Sequence, residues 1–503
     1  MGKWRAHVVL VPGLAPGHAV PFFDLAIRIA ASHVKVTILD FGYRVPKLWS
    51  DAIYSRWALR LRAAHPDIEV VPVKDSIYDG TREGFYSCIT QLGEERLIAA
   101  FGSNLAPLMD STGDVPRPCC IISDMLVGWT AELSAKFNIP RYLMHIQPAI
   151  NLSLMLHVPT LTAEGRLPLT EENATKTIEI PGIRFPVHPA DLPTDLSDPI
   201  SLKWGSYEFF LRMARGAREA PIVLVNTFRE LEEDVLAALD ELHSRAATDG
   251  QAYPKVIPIG PLLLPSDFPS SDITVFDQDY ESEEIASLMQ WLDMQPPRSV
   301  LYIAFGTLVN NAREQTEEIA HGLEASEQSF LWSTGSLMKR PNEPLPPTLA
   351  ELLPPGFEER TKERGKIATF VVPQLRVLRH PACGAFLNHC GWNTVLESLA
   401  GGVPIIAWPR QFEQRMTARY LVDIAKVAAE LVDTRTGFMG RGEIKRVVRL
   451  VMQQEEGEAL RSRAGELKQL ISASYGHTNP NLDTFLADLI KQSSNSTHDG
   501  APR

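Results

Sequence analysis

Cysteine is scarce in this sequence of 503 residues, and the few cysteines that occur do not form a disulfide framework. They are Cys88, Cys119, Cys120, Cys383 and Cys390. An odd number without regular spacing is typical of reduced thiols, rather than of a small secreted domain held together by disulfides. We therefore expect a cytoplasmic protein.

Long apolar runs and an excess of positive charge are absent as well. No stretch of about 18 apolar residues offers a membrane span, and the first strand-like segment begins so early that we expect no export signal before it. The sequence has 61 acidic and 49 basic side chains and a net charge of -12. This charge argues against nucleic acid or an anionic membrane as a partner. We expect a monomer that holds any anionic small molecule by local geometry.

Alternating strand-like and helical segments predict two α/β domains. A chain of this length exceeds what one hydrophobic core usually serves. Short β-branched runs such as "HVVLV", "VKVTILD" and "RYLMHI" alternate with helical segments in the first half, and "SVLYIAFGT", "GAFLN" and "VPIIAW" do so in the second. Such alternation is typical of βαβ units on a parallel sheet. We predict two doubly wound, Rossmann-like domains that face a cleft.

The stretch 253–272 is rich in Pro, Ser and Asp and marks the expected boundary between the domains. We assign residues 1–256 to an N-terminal domain and 257–475 to a C-terminal domain. The apolar positions of "NLDTFLADLI" predict a last helix within 476–492 that returns to the N-terminal domain. The polar residues 493–503 are expected to form a disordered tail.

The segment "NHCGWNTVLE", residues 388–397, concentrates polar chemistry in a short stretch. With the residues before it, it contains His380, Cys383, His389 and Cys390, a set that suggests zinc at first sight. His389 and Cys390, however, are neighbours at the end of a strand-like run, where adjacent side chains diverge. The four side chains therefore cannot easily point at one ion, and we expect no metal.

A strand, a short glycine turn and a helix that begins near Trp392 explain the same segment better. The unpaired amides at the N-terminus of such a helix form a ready anion site. Asn393, Thr394 and His389 can donate to phosphate oxygens there, and Glu397, one helical turn further on, can accept from ribose hydroxyls. In the alternative, His389 and Trp392 merely cap and pack the junction, which is more common for either residue taken alone.

The sequence around this segment resembles a known family. The stretch "VPQLRVLRHPACGAFLNHCGWNTVLESLAGGVPIIAWPRQFEQ" closely resembles the donor-binding signature of the UDP-dependent glycosyltransferases of plants and fungi. The segments "PIGPLL", "WLDMQPPRSVLYIAFGT" and "LPPGFEERTKERG" occur in the family's order, whereas the N-terminal half matches more loosely. The resemblance implies a GT-B fold, in which the N-terminal domain binds the acceptor and the C-terminal domain binds the nucleotide sugar.

The resemblance also implies roles for individual residues. It assigns the phosphates to His389, Asn393, Thr394 and Thr307, the ribose hydroxyls to Glu397, and the sugar hydroxyls to Trp392, Glu413 and Gln414. Gln374 belongs to the segment at the uracil, where the family has W-x-P-Q and this chain has Val371 in place of the tryptophan. Base–aromatic stacking is worth roughly 1 to 3 kcal/mol, so its loss weakens donor binding by about one to two orders of magnitude unless another contact replaces it.

A second candidate site lies in the N-terminal half, where "HVVLVPGLAPGHAV" leads from a strand through a glycine turn to His18. A hydroxyl that attacks a sugar C1 must lose its proton, and a neutral imidazole suits that task. Asp124, after the strand "CCIIS", can fix the tautomer of the imidazole and stabilise its protonated form. Both residues match the family's catalytic pair. The alternative is a routine backbone contact for His18 and a helix N-cap for Asp124.

Three competing interpretations find less support. The triplet Asp277-Gln278-Asp279 resembles the D-x-D of metal-dependent glycosyltransferases, but it lies in an acidic linker, where charged residues are usually just solvated. The turn after the first strand and Asp40 at the end of the second suggest an NAD(P)-dependent oxidoreductase, but G-x-G-x-x-G is absent. A non-catalytic nucleotide-sugar binder would leave His18 and Asp124 unexplained.

The sequence therefore predicts an inverting UDP-glycosyltransferase that needs no cofactor beyond its UDP-sugar co-substrate. His18 deprotonates an acceptor hydroxyl, which displaces UDP and leaves a β-O-glycoside. The pair Glu413-Gln414 matches the family's pattern for glucose, with xylose and galactose as alternatives. Loops at 78–85 and 147–158 are expected to line the acceptor pocket, and their apolar content favours a hydrophobic phenolic or terpenoid acceptor.

Overall fold

The computed structural model divides the chain into two compact units. The described residues are 4–13, 16–41, 61, 65–73, 90–110, 114–197, 205–249, 252–263, 283–306, 312–334, 349–370, 372–432, 438–474 and 479–496. The N unit comprises Met1–Pro265 together with His477–Arg503, and the C unit comprises Ser266–Gly476. The division therefore falls inside the Pro- and Ser-rich stretch, somewhat later than the expected boundary at 256.

Strands and helices alternate along most of both units. The strands are β1 (Ala6–Val11), β2 (Val34–Asp40), β3 (Ile68–Pro72), β4 (Cys120–Asp124), β5 (Arg141–His145), β6 (Ile222–Val225), β7 (Lys255–Pro258), β8 (Val300–Ala304), β9 (Ser329–Ser333), β10 (Gly365–Ala368), β11 (Cys383–Asn388), β12 (Ile405–Ala407) and β13 (Ala428–Glu430). The helices are α1 (Pro16–Ala30), α2 (Gln91–Met109), α3 (Thr130–Phe137), α4 (Ala149–Ala163), α5 (Thr194–Ser197), α6 (Ser206–Glu219), α7 (Glu233–Asp249), α8 (Glu283–Asp293), α9 (Arg313–Ser326), α10 (Leu349–Leu352), α11 (Phe357–Thr361), α12 (Gln374–Leu378), α13 (Trp392–Gly401), α14 (Gln414–Asp423), α15 (Arg441–Gln453), α16 (Glu455–Ser474) and α17 (Pro480–Ser496).

The N unit is built on a parallel sheet with the strand order β3-β2-β1-β4-β5-β6-β7. Every residue of β1, β2, β4 and β5 is buried, as is typical of parallel strands covered on both faces. The chain leaves β1 towards one side of the sheet and returns through β4 on the other, so that the strand order reverses between them. In doubly wound sheets, ligands bind at the carboxyl ends of the strands that flank such a reversal.

The C unit contains a second parallel sheet, with the order β10-β9-β8-β11-β12-β13. Its order reverses between β8 and β11, whose residues are all buried. A core cluster that includes Ile303, Trp332 and Leu387 packs the strands against Ile319 of α9 and Val448 of α15. These two sheets confirm the predicted fold of two doubly wound, Rossmann-like domains.

The segment 147–158 is not the loop that the sequence analysis expected. Residues 149–163 form helix α4, and most of its side chains are buried because the sequence "AINLSLMLHVPTLTA" is apolar around the whole helix. Both carboxylate oxygens of buried Glu232 accept hydrogen bonds at the N-terminus of α4, from the amides of Ala149 at 2.8 Å and Ile150 at 2.9 Å. The segment is therefore a core element of the N unit. The other expected loop, 78–85, lies outside the described residues.

The last helix, α17, packs against the N unit. The side-chain amide of Asn479 donates to the carbonyl of Gly260 at 3.2 Å, and that of Asn481 donates to the carbonyl of Pro258 at 2.9 Å. Phe485 packs edge-on against Tyr142 of β5. The helix continues to Ser496 and so includes the first residues of the segment expected to be a disordered tail. In the part of the chain that the structure describes, no helix has both the length and the apolar character of a membrane span.

Candidate active site

The first candidate site is formed by His18 and Asp124 in the N unit. His18 lies in the first turn of α1, which follows β1, and Asp124 is the last residue of β4. Because β1 and β4 are parallel neighbours, with Val11 opposite Ser123, both side chains lie at the carboxyl edge of the sheet where the strand order reverses. Nδ1 of His18 lies 2.8 Å from Oδ2 of Asp124. The structure thus brings the predicted catalytic pair together.

The carboxylate of Asp124 is held in place from two sides. Its Oδ1 accepts a hydrogen bond from the amide of Leu126 at 2.8 Å and so caps the short 3-10 helix Met125–Val127. The N-cap alternative for Asp124 is therefore also realised, because one oxygen caps the turn while the other contacts His18. The side chain of Asp124 is 1% exposed and that of His18 is 16% exposed. A rigid carboxylate therefore orients a more accessible imidazole.

A second histidine, His145, lies beside this pair and was not singled out from the sequence. It ends β5, the strand next to β4, and its Nδ1 lies 2.7 Å from Sδ of Met125. Burial lowers the pKa of His145 to about 4, despite the nearby carboxylate of Asp124, which acts in the opposite direction. His145 is therefore neutral at neutral pH and adds no positive charge next to His18. The only signal in the sequence for His145 is its position at the end of a predicted strand.

The second candidate site is the turn between β11 and α13 in the C unit. The strand, the turn and the helix lie where the sequence predicts them, with Gly391 as the N-cap of the helix that begins at Trp392. Asn388 is fully buried, and its Oδ1 accepts a hydrogen bond from the amide of Cys390 at 2.8 Å. Cys390 has a left-handed φ of 64°. This tight turn places His389 directly before the helix N-terminus, whose amides favour an anion.

The imidazole of His389 is enclosed by two glycines. A Cβ added to Gly306, which follows β8, would lie 2.8 Å from Cε1 of His389, and one added to Gly391 would lie 2.5 Å from Nε2. Burial lowers the pKa of His389 to about 4, so the ring is neutral at neutral pH. Among the described residues, its buried Nδ1 has no hydrogen-bond partner. A neutral imidazole can still donate one hydrogen bond, and a phosphate oxygen is a suitable acceptor.

Glu397 belongs to a partly buried chain of polar side chains that includes Gln374 and Tyr302. Nε2 of Gln374 donates to Oε2 of Glu397, and the hydroxyl of Tyr302 donates to Oε1 of Gln374 at 3.4 Å. Tyr302 is 1% exposed and its ring stacks on Phe386 at a centroid distance of 4.6 Å. Burial raises the pKa of Glu397 to about 7, although the hydrogen bond from Gln374 acts against this shift. The structure therefore couples two predicted binding residues and adds a tyrosine that the sequence analysis did not identify.

Trp392, Asn393 and Thr394 form the first turn of α13, as predicted for the phosphate site. The indole of Trp392 is buried, whereas Asn393 and Thr394 are partly exposed. Glu413 and Gln414 lie at the start of α14. Those five residues are thus all placed at the beginnings of two helices.

Gln414 has a local role that the sequence did not indicate. Its Oε1 accepts hydrogen bonds from the amides of Arg410 and Gln411, both at 3.0 Å, and the side chain is 5% exposed. The side-chain carbonyl therefore stabilises the turn before α14. Only the side-chain amide nitrogen of Gln414 remains for the predicted contact with the sugar hydroxyls.

Several predicted features lie outside the described residues, namely Thr307, Val371 and the triplet Asp277-Gln278-Asp279. His380, one of the four residues of the zinc alternative, contacts other groups through both ring nitrogens. Nε2 of His380 lies 3.1 Å from the carboxylate of Asp293, and its Nδ1 accepts from the amide of Ala382. Across the described ranges, no three side chains of His, Cys, Asp or Glu gather as a metal ion would require.

The chain is similar to known proteins over most of its length. The family model "UDP-glucoronosyl and UDP-glucosyl transferase" matches residues 263–459. UDP-glycosyltransferase 72B1 of Arabidopsis thaliana is 31% identical over 92% of this chain and 91% of its own length. Isoflavone 7-O-glucosyltransferase 1 of Glycine max is 34% identical over 71% of this chain and 70% of its own length.

A solved structure shows the same fold. It is Phytolacca americana UGT2 in complex with UDP-2-fluoro-glucose and pterostilbene, which superposes with a TM-score of 0.77 and 25% identity over 97% of this chain and 100% of that chain. These relatives remove the oxidoreductase alternative, because the Arabidopsis thaliana glycosyltransferase matches 92% of this chain and the Phytolacca americana structure matches 97% of it. The chain belongs to the UDP-glycosyltransferase family, and it is an enzyme that transfers a sugar from a UDP-sugar to a small-molecule acceptor.

Proposed function

We propose that this enzyme transfers glucose from UDP-glucose to a hydroxyl group of a hydrophobic phenolic or terpenoid molecule, with inversion at the anomeric carbon. The observation that carries the mechanism is the contact of 2.8 Å between His18 and Asp124. A carboxylate on Nδ1 directs the second ring nitrogen, Nε2, towards proton transfer and stabilises the imidazolium that forms. His18 is then the general base and Asp124 the group that orients it.

The proposed reaction is a single displacement. Nε2 of His18 takes the proton of the acceptor hydroxyl while its oxygen forms a bond to the anomeric carbon of the sugar. The bond from that carbon to the β-phosphate oxygen breaks, and UDP leaves with the electron pair. Because the oxygen enters opposite to the leaving group, an α-linked donor gives a β-glycoside. The acceptor side of this chemistry is assigned to the N unit and the donor side to the C unit.

The C unit supports the proposed binding of the leaving group without a metal. The N-terminal amides of α13, together with His389, Asn393 and Thr394, offer hydrogen bonds to the diphosphate. Preorganised donors of this kind stabilise the negative charge that develops on the departing UDP. Glu397 is proposed to accept from the ribose hydroxyls, with Gln374 beside it. Trp392, Glu413 and Gln414 are proposed to contact the sugar, and Thr307 the phosphates.

Glucose and an aromatic acceptor are supported by the relatives. The Glycine max relative is named for glucosyl transfer to an isoflavone, and the Phytolacca americana structure holds a fluorinated UDP-glucose and pterostilbene. Glu413 and Gln414 also match the family's glucose pattern. Xylose and galactose remain the alternatives to be compared with glucose.

The proposal is tested by direct assay of the purified protein. UDP-glucose, UDP-xylose and UDP-galactose are each supplied with a panel of phenolic and terpenoid alcohols, and the product is analysed by NMR. We expect the highest kcat/KM with UDP-glucose, a β-configured product, and no loss of rate when EDTA is added. An α-configured product, or activity that is abolished by EDTA and restored by Mg²⁺, would contradict the mechanism.

A further inference from the structure

Gly13 occupies the turn between β1 and α1, directly beside the two residues proposed to catalyse transfer. A Cβ built on Gly13 would lie 2.9 Å from Cγ and 2.9 Å from Oδ1 of Asp124, and 3.0 Å from Nδ1 of His18. The φ of Gly13 lies outside the left-handed region. The cost of a side chain at this position is therefore steric rather than torsional. Its methyl group would enter the space that the imidazole and the carboxylate now share.

Asp124 cannot yield to such a group. Its side chain is almost completely buried, and Oδ1 is held by the amide of Leu126 at 2.8 Å. Its strand, β4, is paired with β1 on one side and β5 on the other. His18 is the more exposed partner and lies in the first turn of a helix, so the displacement would fall on the imidazole. A shift of the ring would lengthen the contact between Nδ1 and Oδ2.

We propose that Gly13 is a positioning residue for the transfer reaction, because the absence of a side chain there allows the imidazole of His18 to reach the carboxylate of Asp124. This inference rests on the proposed roles of His18 and Asp124. It also assigns a purpose to the glycine turn after the first strand. In a dinucleotide-binding enzyme such a glycine makes room for a pyrophosphate, whereas here it makes room for a pair of side chains.

The first test is the variant Gly13→Ala, assayed for kcat, KM and UDP affinity. Misplacement of a catalytic group by about 1 Å can cost roughly a hundredfold in rate, and we expect a fall in kcat of about that size. UDP affinity should remain unchanged, since UDP is assigned to the other unit. In the plot of kcat/KM against pH, the acid limb should also move to lower pH. The reason is that a longer contact with the carboxylate stabilises the protonated imidazole less. If Gly13→Ala has the same kcat and the same pH profile as the natural protein, the inference is wrong.

Gly128 provides the matched control. It directly follows the 3-10 helix that Asp124 caps, has a φ of -54°, and would place an added Cβ with no atom within 4 Å. Gly128→Ala should therefore retain the natural kcat and pH profile. Equal losses in Gly13→Ala and Gly128→Ala would show that the strand–turn region tolerates no change at all, and would contradict a specific role for Gly13.

A double-variant cycle separates the proposed route from general damage. Asp124→Ala removes both atoms that the new Cβ would meet at 2.9 Å. If Gly13 acts through the pair, Gly13→Ala should cause no further loss of kcat in the Asp124→Ala background. A full additional loss there would overturn the inference. If Gly13→Ala alone does not fold, the double variant should fold, because the atoms that clash with the new Cβ are gone. A double variant that also does not fold would contradict the steric explanation.

His18→Ala distinguishes failure of this inference from failure of the proposed function. If His18→Ala abolishes transfer but Gly13→Ala behaves as the natural protein, the inference about Gly13 is wrong and the proposed mechanism survives. If His18→Ala retains normal activity, the proposed mechanism itself is wrong.

Discussion

Nδ1 of His18 lies 2.8 Å from Oδ2 of Asp124, although 106 positions separate the two residues in the chain. The contact exists because β1 and β4 are adjacent in the sheet, and both side chains project from its carboxyl edge. Since the carboxylate of Asp124 is also fixed by the amide of Leu126, the imidazole has a rigid partner. The pair is therefore suited to take a proton from an acceptor hydroxyl.

Substitution of either partner should abolish or strongly reduce transfer while UDP binding survives. We expect His18→Ala to show no measurable transfer, because the proton acceptor is missing. Asp124→Asn should lower kcat by roughly 10³- to 10⁴-fold, because the amide favours the wrong tautomer of the imidazole. The measurements are kcat with labelled UDP-glucose and the dissociation constant of UDP by calorimetry.

The control for this pair of variants is His243→Ala, since His243 is an exposed histidine of α7. This variant should leave both kcat and the dissociation constant of UDP unchanged. Simultaneous loss of transfer and UDP binding in His18→Ala would argue against its assignment as a base for the acceptor.

The variant Gly391→Ala should weaken UDP binding by displacing His389. Its Cβ would lie 2.5 Å from Nε2 of the imidazole, which is too close for the ring to keep its position. A hydrogen bond to a charged group contributes about 1.5 to 3 kcal/mol, so we expect the dissociation constant of UDP to rise by roughly 10- to 100-fold. His389→Ala should have an effect of similar size.

Gly440 is a suitable control for Gly391, because it is also a helix N-cap with an extended backbone but has no atom within 4 Å of an added Cβ. Gly440→Ala should bind UDP normally. Normal UDP affinity in Gly391→Ala would contradict the placement of His389 at the phosphates.

The affinity for UDP should decrease as the pH falls below neutrality, because of Glu397. Burial raises the pKa of this carboxyl to about 7, so the group is partly protonated at neutral pH. Ribose hydroxyls donate to the carboxylate and favour its charged form. Binding is therefore strongest above the raised pKa, and below it binding must displace a proton, which costs up to about tenfold in affinity per pH unit.

Glu397→Gln isolates this effect from the titration of UDP itself, whose terminal phosphate has a pKa of about 6. The variant should bind UDP more weakly, and its pH dependence should contain only the contribution of the phosphate. Calorimetry on either side of neutrality measures both proteins. Identical pH profiles for the two proteins would exclude Glu397 as the titrating group.

Tyr302→Phe should raise KM for the UDP-sugar by about two- to tenfold and leave kcat unchanged. The substitution keeps the ring that stacks on Phe386 and removes only the hydroxyl that donates to Gln374. A typical hydrogen bond contributes about 0.5 to 1.5 kcal/mol, which corresponds to the expected change in KM. Steady-state kinetics with varied UDP-glucose provide the measurement.

Tyr142→Phe is the matched control, since Tyr142 is a buried tyrosine of the N unit that packs on Phe485. It should leave KM for the UDP-sugar unchanged. A fall in kcat for Tyr302→Phe without a change in KM would show that the hydroxyl acts elsewhere than through Gln374.

Much of the fold could be predicted from local sequence. Strand-like runs that alternate with helical segments indicated both parallel sheets, since buried parallel strands are apolar along their whole length. The exceptions have physical reasons. The sequence predicts a loop at 147–158 that lines the acceptor pocket, and this prediction is wrong. The segment is a buried helix because its apolar side chains surround the helix axis and Glu232, distant in sequence, satisfies its first amides.

The turn at His389 could be predicted, because a strand, a turn and a helix within a few residues depend on local backbone preferences. The environment of the imidazole could not be predicted, because Gly306 reaches it from the end of another strand. The same holds for Glu397, since burial raises its pKa and the hydrogen bond from Gln374, on another helix, opposes that shift.

By itself, then, the sequence determined the kinds of elements, their order along the chain and the chemical groups that the two candidate sites contain. These properties depend on side-chain polarity and on hydrogen bonds between near neighbours in the chain. Only the tertiary structure decided which groups touch, which oxygen of Asp124 faces His18, and which carboxyls and imidazoles lose their charge at neutral pH. Those properties depend on strand order and burial, which arise when residues far apart in the chain pack together.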